Sequence, residues 1–192
     1  MRTAIVACAV IACLSGCAGQ KEALSPQEEQ SWQQFLGQQL AEGMVQPSSE
    51  DATAVAAIGD KVVPYVEENL GKAFRDPAGK GDYWLIIVLA RTGTPRAAEG
   101  VVKALKHDYP GAIGRDRETA AKALVWLGAR EAAPALREAI ADHEKRIAEK
   151  IAEGASEGAQ RAYAEEVSNL RACLQQLEQG TGKRDTRNFP FD

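Results

Sequence analysis

Cysteine is scarce in the body of this 192-residue chain. Three of the four (Cys8, Cys13, Cys17) fall within the first 17 residues. That leaves Cys173 alone, so disulfides are not expected to hold the fold in any redox compartment. Histidine is rarer still: His107 and His143 stand far apart, and beyond residue 17 there are no paired cysteines, which argues against a metal centre. Gly79-Lys80-Gly81 lacks the spacing of a phosphate loop, and no Gly-x-Ser-x-Gly nucleophile turn occurs. Basic clusters are also missing. The formal charge is −4, and it becomes −5 without residues 1–16, which carry Arg2 and no acid. Such a balance speaks against a nucleic-acid or anionic-lipid surface. Glu28-Glu29 and Glu165-Glu166 are adjacent carboxylates, which diverge on a helix and make poor acid/base pairs, so both read as solvated faces.

What remains is an ordinary globular composition, 45% hydrophobic and 26% charged, with abundant alanine and few aromatics, a mixture suited to closely packed helices. The longest apolar run, Ala4 to Leu14, has 11 residues, well short of the roughly 20 that span a bilayer. With Met1-Arg2 before it, it reads as the apolar core of a secretory signal. It ends in Leu14-Ser15-Gly16-Cys17, which resembles the lipobox of bacterial lipoproteins. The resemblance implies cleavage after residue 16, acylation of Cys17, and a lipidated tether over 17–24. More than one acyl chain is needed for stable anchoring. Ala18, in place of an aspartate, favours the periplasmic side of the outer membrane.

Beyond the tether, one skeleton recurs every 35 residues. Leu136 falls on Val101 and Val66, Ile140 on Leu105 and Leu70, and Ala132 on Ala97 and Val62. Gly59, Gly93 and Gly128 keep that register to within one residue, and Pro134 coincides with Pro64. A fixed period of this size marks stacked helical pairs, each too small to bury its own apolar side. The pattern predicts an all-α short solenoid over 25–180, with units at about 48–74, 82–106 and 116–141.

Ser25-Pro26-Gln27-Glu28 signals a capped helix. Its stripe is Trp32, Phe35, Leu36 and Leu40, its other face is rich in glutamine, and its end is expected near Gly43. It would cap the stack. Ser48 to Asp51 starts a short helix carrying Val55 and Ile58. Gly59 then breaks the chain, Asp60 is expected to cap the next helix, and Val62, Val63, Val66, Leu70 and Phe74 form that helix's apolar side. Tyr83 to Ala90 alone could be a buried strand, but Leu89 and Ala90 fall on Leu124 and Val125, so the period makes it a buried helix. Thr94-Pro95 caps its partner, which carries Val101, Val102 and Leu105. In the third unit Ala120, Ala123, Leu124 and Leu127 precede the turn. The stripe Leu136, Ile140, His143, Ile147, Ile151 then continues past the repeat. After Gly154, a seam of Tyr163, Val167, Leu170, Leu174 and Leu177 at heptad spacing predicts an antiparallel hairpin over about 130–179. Residues 181–192 form a loose tail in which Phe189 and Phe191 are candidates to dock.

Gly128 to Ile140 resembles a HEAT repeat, closest to the alanine-rich HEAT-like type of phycobilin lyases, and the resemblance covers 48 to about 141. It implies a protein-binding scaffold whose second helices meet a partner. Lyase chemistry does not carry over, because nothing matches a bilin pocket. The expected function is thus a non-enzymatic, lipid-anchored envelope scaffold. It is expected to need no cofactor, to bind no nucleic acid, and to have an envelope protein as partner. The alternative is a small-molecule or cell-wall ligand-binding lipoprotein, with or without weak catalysis, using the aromatics Tyr83, Trp84 and Tyr109 near the unit joins. His143 reads as a core histidine, His107-Asp108-Tyr109 as a surface turn, and Cys173 as a buried, inert thiol. Cys17 is the one residue assigned a chemical role.

Overall fold

A computed structural model describes residues 21–41, 46–72, 81–107 and 115–181. The signal segment, Cys17, Phe74, Asp108, Tyr109 and the tail from 182 lie outside them. Among the described residues there are eight α-helices and no strand. The helices are α1 (Pro26–Leu40), α2 (Ser49–Ala56), α3 (Val63–Asn69), α4 (Tyr83–Thr92), α5 (Pro95–Lys106), α6 (Arg115–Leu127), α7 (Ala133–Ala152) and α8 (Glu157–Gln179).

The starts obey local chemistry. Ser25 accepts from Glu28 N, while the Glu28 carboxylate accepts from Ser25 N at 2.7 Å. Ser48 and Asp51 close a second reciprocal box. Thr94 accepts from Ala97 N at 3.1 Å. Each such cap satisfies helix donors that would otherwise be orphaned. Asp60 does not cap α3. A 3₁₀ turn, Gly59–Val62, intervenes, and α3 starts without a side-chain cap. Asp60 instead accepts a hydrogen bond from the Thr94 hydroxyl and so ties unit one to unit two.

The helices stack in two rows. In one row α2, α4, α6 and α8 lie side by side, and in the other α3, α5 and α7 do, with α5 seated between α4 and α6. The 35-residue register is the register of burial: Val66, Val101 and Leu136 are all fully buried. So are Leu85 to Ala90, which places α4 in the centre of the molecule as a helix enclosed on every side. Gly59, Gly93 and Gly128 each adopt a left-handed φ, at 75°, 74° and 65°, which glycine reaches without a Cβ clash.

α8 does more than close a hairpin. It packs as closely on α6 as on α7, and it ends in Gly180 at φ 67°. It therefore takes the place of the first helix in a fourth unit. At about 30 Å for its 20 residues, α7 is far longer than α5 at about 18 Å for 12. The far end of the hairpin therefore overhangs the stack, and Ile151 on the expected stripe is exposed while Ile147 is half-buried. Other stripe positions also shift. Leu70 is half-buried because α3 stops at Asn69. Helix α1 ends at Leu40, before Gly43. Leu40 itself faces out, and Gln39 is buried instead, donating to the Gly81 carbonyl at 2.8 Å.

Candidate interaction surface

A stack of helical pairs exposes its apolar edge at each end unless a polar helix covers it. Both ends are covered here. The outward side of α1 carries Gln30, Gln33, Gln34 and Gly37, all exposed, while Trp32 and Phe35 point inward. The outward side of α8 carries Ser168, Ala172, Gln175, Gln176 and Gln179, with Leu170, Cys173 and Leu177 pointing inward. Both described ends of the stack therefore present polar helix faces rather than an apolar edge.

One lateral face is made by α3, α5 and α7. Ion pairs cross it from unit to unit: Lys103 to Glu67 at 2.6 Å, Lys106 to Glu138 at 2.6 Å, and Arg137 to Glu178 at 2.7 Å. The positions 68, 103 and 138, one period apart, carry Glu, Lys and Glu in alternating sign. Exposed pairs of this kind contribute about 0–1 kcal/mol each, so the ladder organises the surface more than it holds the fold. Near its start, Tyr65 packs edge-on to Trp32 at 6.1 Å, donates to the Glu22 carbonyl at 3.2 Å, and carries Lys21 over its ring at 3.6 Å.

The turn edge offers two adjoining clefts. The larger, about 400 Å³, lies between Gly93, Thr94, Pro95, Ala98, Leu127 and Glu131. The smaller, about 330 Å³, lies between Val125, Arg130, Glu131, Gln176, Leu177 and Gly180. Gly128 and Glu131 line both, so they form one open trough across the turns.

Along the hairpin a polar network ties α6, α7 and α8 together. Buried Arg117 donates to Asp142 at 2.8 Å, and Arg146 donates to the same oxygen at 3.0 Å. Burial pushes the Asp142 carboxyl up, but the hydrogen bond and charge of Arg117, with Arg146, bring it below its ordinary range. Asn169 donates to Glu118 at 3.2 Å and Arg171 to Glu144 at 2.6 Å. His143, 2% exposed, sets its Nε2 3.1 Å from Glu166 Oε2. The core reading of His143 therefore holds, but Glu166 is half-buried and partnered rather than a solvated carboxylate. The sequence hides this pair because 23 residues separate its members and neither helix shows it alone.

Cys173 is buried, and that burial pushes its thiol up to about 11 against a small opposing pull from Lys122. It is a poor nucleophile at neutral pH. Tyr83 and Trp84 form the first turn of α4 and pack edge-to-face on one another at 5.3 Å. Neither lines the turn-edge clefts. His107 follows α5 and lies so close to Gly71 that a Cβ there would strike its ring. Glu28 is engaged in the α1 cap, and Glu29 accepts from Gln33 at 2.6 Å. Among the described residues no group of three or more acidic, histidine or cysteine side chains could hold a metal ion, and no helix is long and apolar enough to cross a membrane.

A family model described as HEAT repeats matches residues 67–157, from the middle of α3 through α7. The match begins later and runs further than the segment suggested by the sequence pattern, 48 to about 141. Neither curated proteins nor solved structures gave a match.

Proposed function

We propose that this protein is a lipid-tethered scaffold of the bacterial envelope that holds a protein partner against the row formed by α3, α5 and α7, and that it catalyses no reaction. The observation that carries the reading is the closure of both stack ends by polar helix faces. A HEAT-like array of three pairs with sealed ends has only its flanks to offer. The flank of second helices presents charges at a fixed spacing around half-buried Tyr65 and Val102. The tether rests on Leu14-Ser15-Gly16-Cys17. Acyl chains on Cys17 would hold the stack close to a membrane, where search for a membrane-bound partner is two-dimensional and local concentration is high.

Photocrosslinking in whole cells tests the surface. A reactive residue at Glu99 or Lys103, both exposed on α5, should capture one protein in high yield, whereas the same residue at Gln33 on the sealed end should not. Equal capture at both positions, or none at either, removes the scaffold reading. Fractionation tests the tether separately: Cys17→Ser should move the chain from the membrane pellet to the soluble fraction.

A further inference from the structure

Residues 21–24, ahead of the first helix, are strapped onto α3. Lys21 lies over the Tyr65 ring at 3.6 Å and pairs with Glu68 at 2.6 Å. Glu22 pairs with Lys61 at 3.3 Å, and its carbonyl accepts from the Tyr65 hydroxyl at 3.2 Å. Leu24 is half-buried against the core, and Ser25 beside it is locked in the α1 capping box. Tyr65 packs edge-on to buried Trp32, so the ring under Lys21 is held from behind. An exposed ion pair or cation–π contact is weak alone. Here several fall on neighbouring residues and act together on one short segment.

We propose that this strap decides which end of the stack faces the membrane: unit one, on the Tyr65–Glu68 side of α3, is the lipid-proximal end, an inference that rests on the lipid tether proposed above. Cys17 precedes Lys21 by four residues, a span of at most about 14 Å whatever its path. Were 21–24 undocked, the free span from Cys17 to Ser25 would be eight residues, up to about 28 Å. The helices α1, α2, α4, α6 and α8 pack in succession. At about 8–10 Å per step, α8 stands about 32–40 Å from α1. The short span therefore keeps unit one beside the bilayer in every orientation of the body, while a free span twice as long would let the body turn other sides to the lipid. The strap also occupies the α3 part of the partner-binding row, so a partner meets that row at α5 and α7.

The test uses the acylated full chain, purified from membranes and placed in vesicles of phosphatidylethanolamine and phosphatidylglycerol that carry an energy acceptor on a lipid headgroup. A donor dye is attached at Gln30→Cys or Gln175→Cys, exposed positions on α1 and α8; buried Cys173 reacts slowly. Energy transfer to the lipid should be several-fold stronger from position 30 than from position 175. In the double variant Lys21→Glu/Glu22→Lys, both strap ion pairs become repulsions and no helical residue is changed. There the difference between the two positions should shrink several-fold. Equal transfer from the two positions in the unaltered acylated chain, or the same difference with and without the double variant, overturns the proposal. Failure of the tether reading is seen separately: a mature chain whose Cys17 carries no acyl group by mass spectrometry removes that reading and this inference with it.

Discussion

Gly128 and Gly180, 52 residues apart, terminate their helices in the same way. Their φ angles are 65° and 67°. The residue after each returns its N–H to the carbonyl five positions back, Ala129 to Leu124 and Thr181 to Gln176, both at 3.1 Å. The pairing identifies α8 as the counterpart of a first helix in the repeat. It also explains why α8 lies along α6 and not only along α7.

Gly180→Ala should therefore destabilise the protein by about 1–2 kcal/mol, the cost of a left-handed residue bearing a Cβ. Arg130, whose side chain lies over this glycine and donates to the Gln179 carbonyl at 3.4 Å, must also move. Thermal or urea unfolding measures the loss. Wild-type stability would mean that the α8 turn is not a structural repeat of the α6 turn.

Leu136 occupies the repeat position shared with Val101 and Val66 and is fully buried. Leu136→Ala should cost about 2–5 kcal/mol in unfolding free energy. A cost near zero in denaturant titration is incompatible with a shared core register.

Glu166 is the hydrogen-bond partner of His143 across the hairpin. Glu166→Ala leaves a buried imidazole nitrogen without it and should cost about 1–3 kcal/mol, whereas Glu166→Gln, which keeps an amide within reach, should cost less. Equal losses from the two variants would show that packing of the side chain, not its polar end, matters there.

Cys173 should react slowly with a thiol reagent at pH 8 in the folded protein and fast once urea is added. Its folded pKa of about 11 lies above the ordinary 9.0. Between these values the unfolded state has lost a proton that the folded state keeps, so the thiol's contribution to stability is intact below pH 9 and falls away as pH rises through 11. Cys173→Ala should flatten that part of the stability curve. A decline of the same steepness in the variant would assign the alkaline loss to other groups.

Much of the fold was legible because it is local or periodic. The capping boxes at Ser25 and Ser48 need only residues three apart. The burial of Val66, Val101 and Leu136 follows from one apolar skeleton used three times. The period also resolved Tyr83 to Ala90 as helix where β-branched residues alone suggested a strand. Side-chain partners were less legible. Asp60 looked like a cap and instead bonds Thr94 in the next unit. Gln39, a polar side chain at stripe spacing on α1, satisfies the Gly81 carbonyl. Both targets are distant in sequence and come within reach only after the units stack.

The sequence by itself determined the helices, their spacing and the glycine turns, because these depend on backbone sterics and on a repeat that each unit spells out. Tertiary packing decided the rest. It set α8 beside α6 as a fourth first helix, sealed both ends with glutamine-rich faces, and brought His143 to Glu166 and Arg117 to Asp142. Such pairings depend on the angle and depth at which one helix settles on another, and no local pattern along a chain records that geometry.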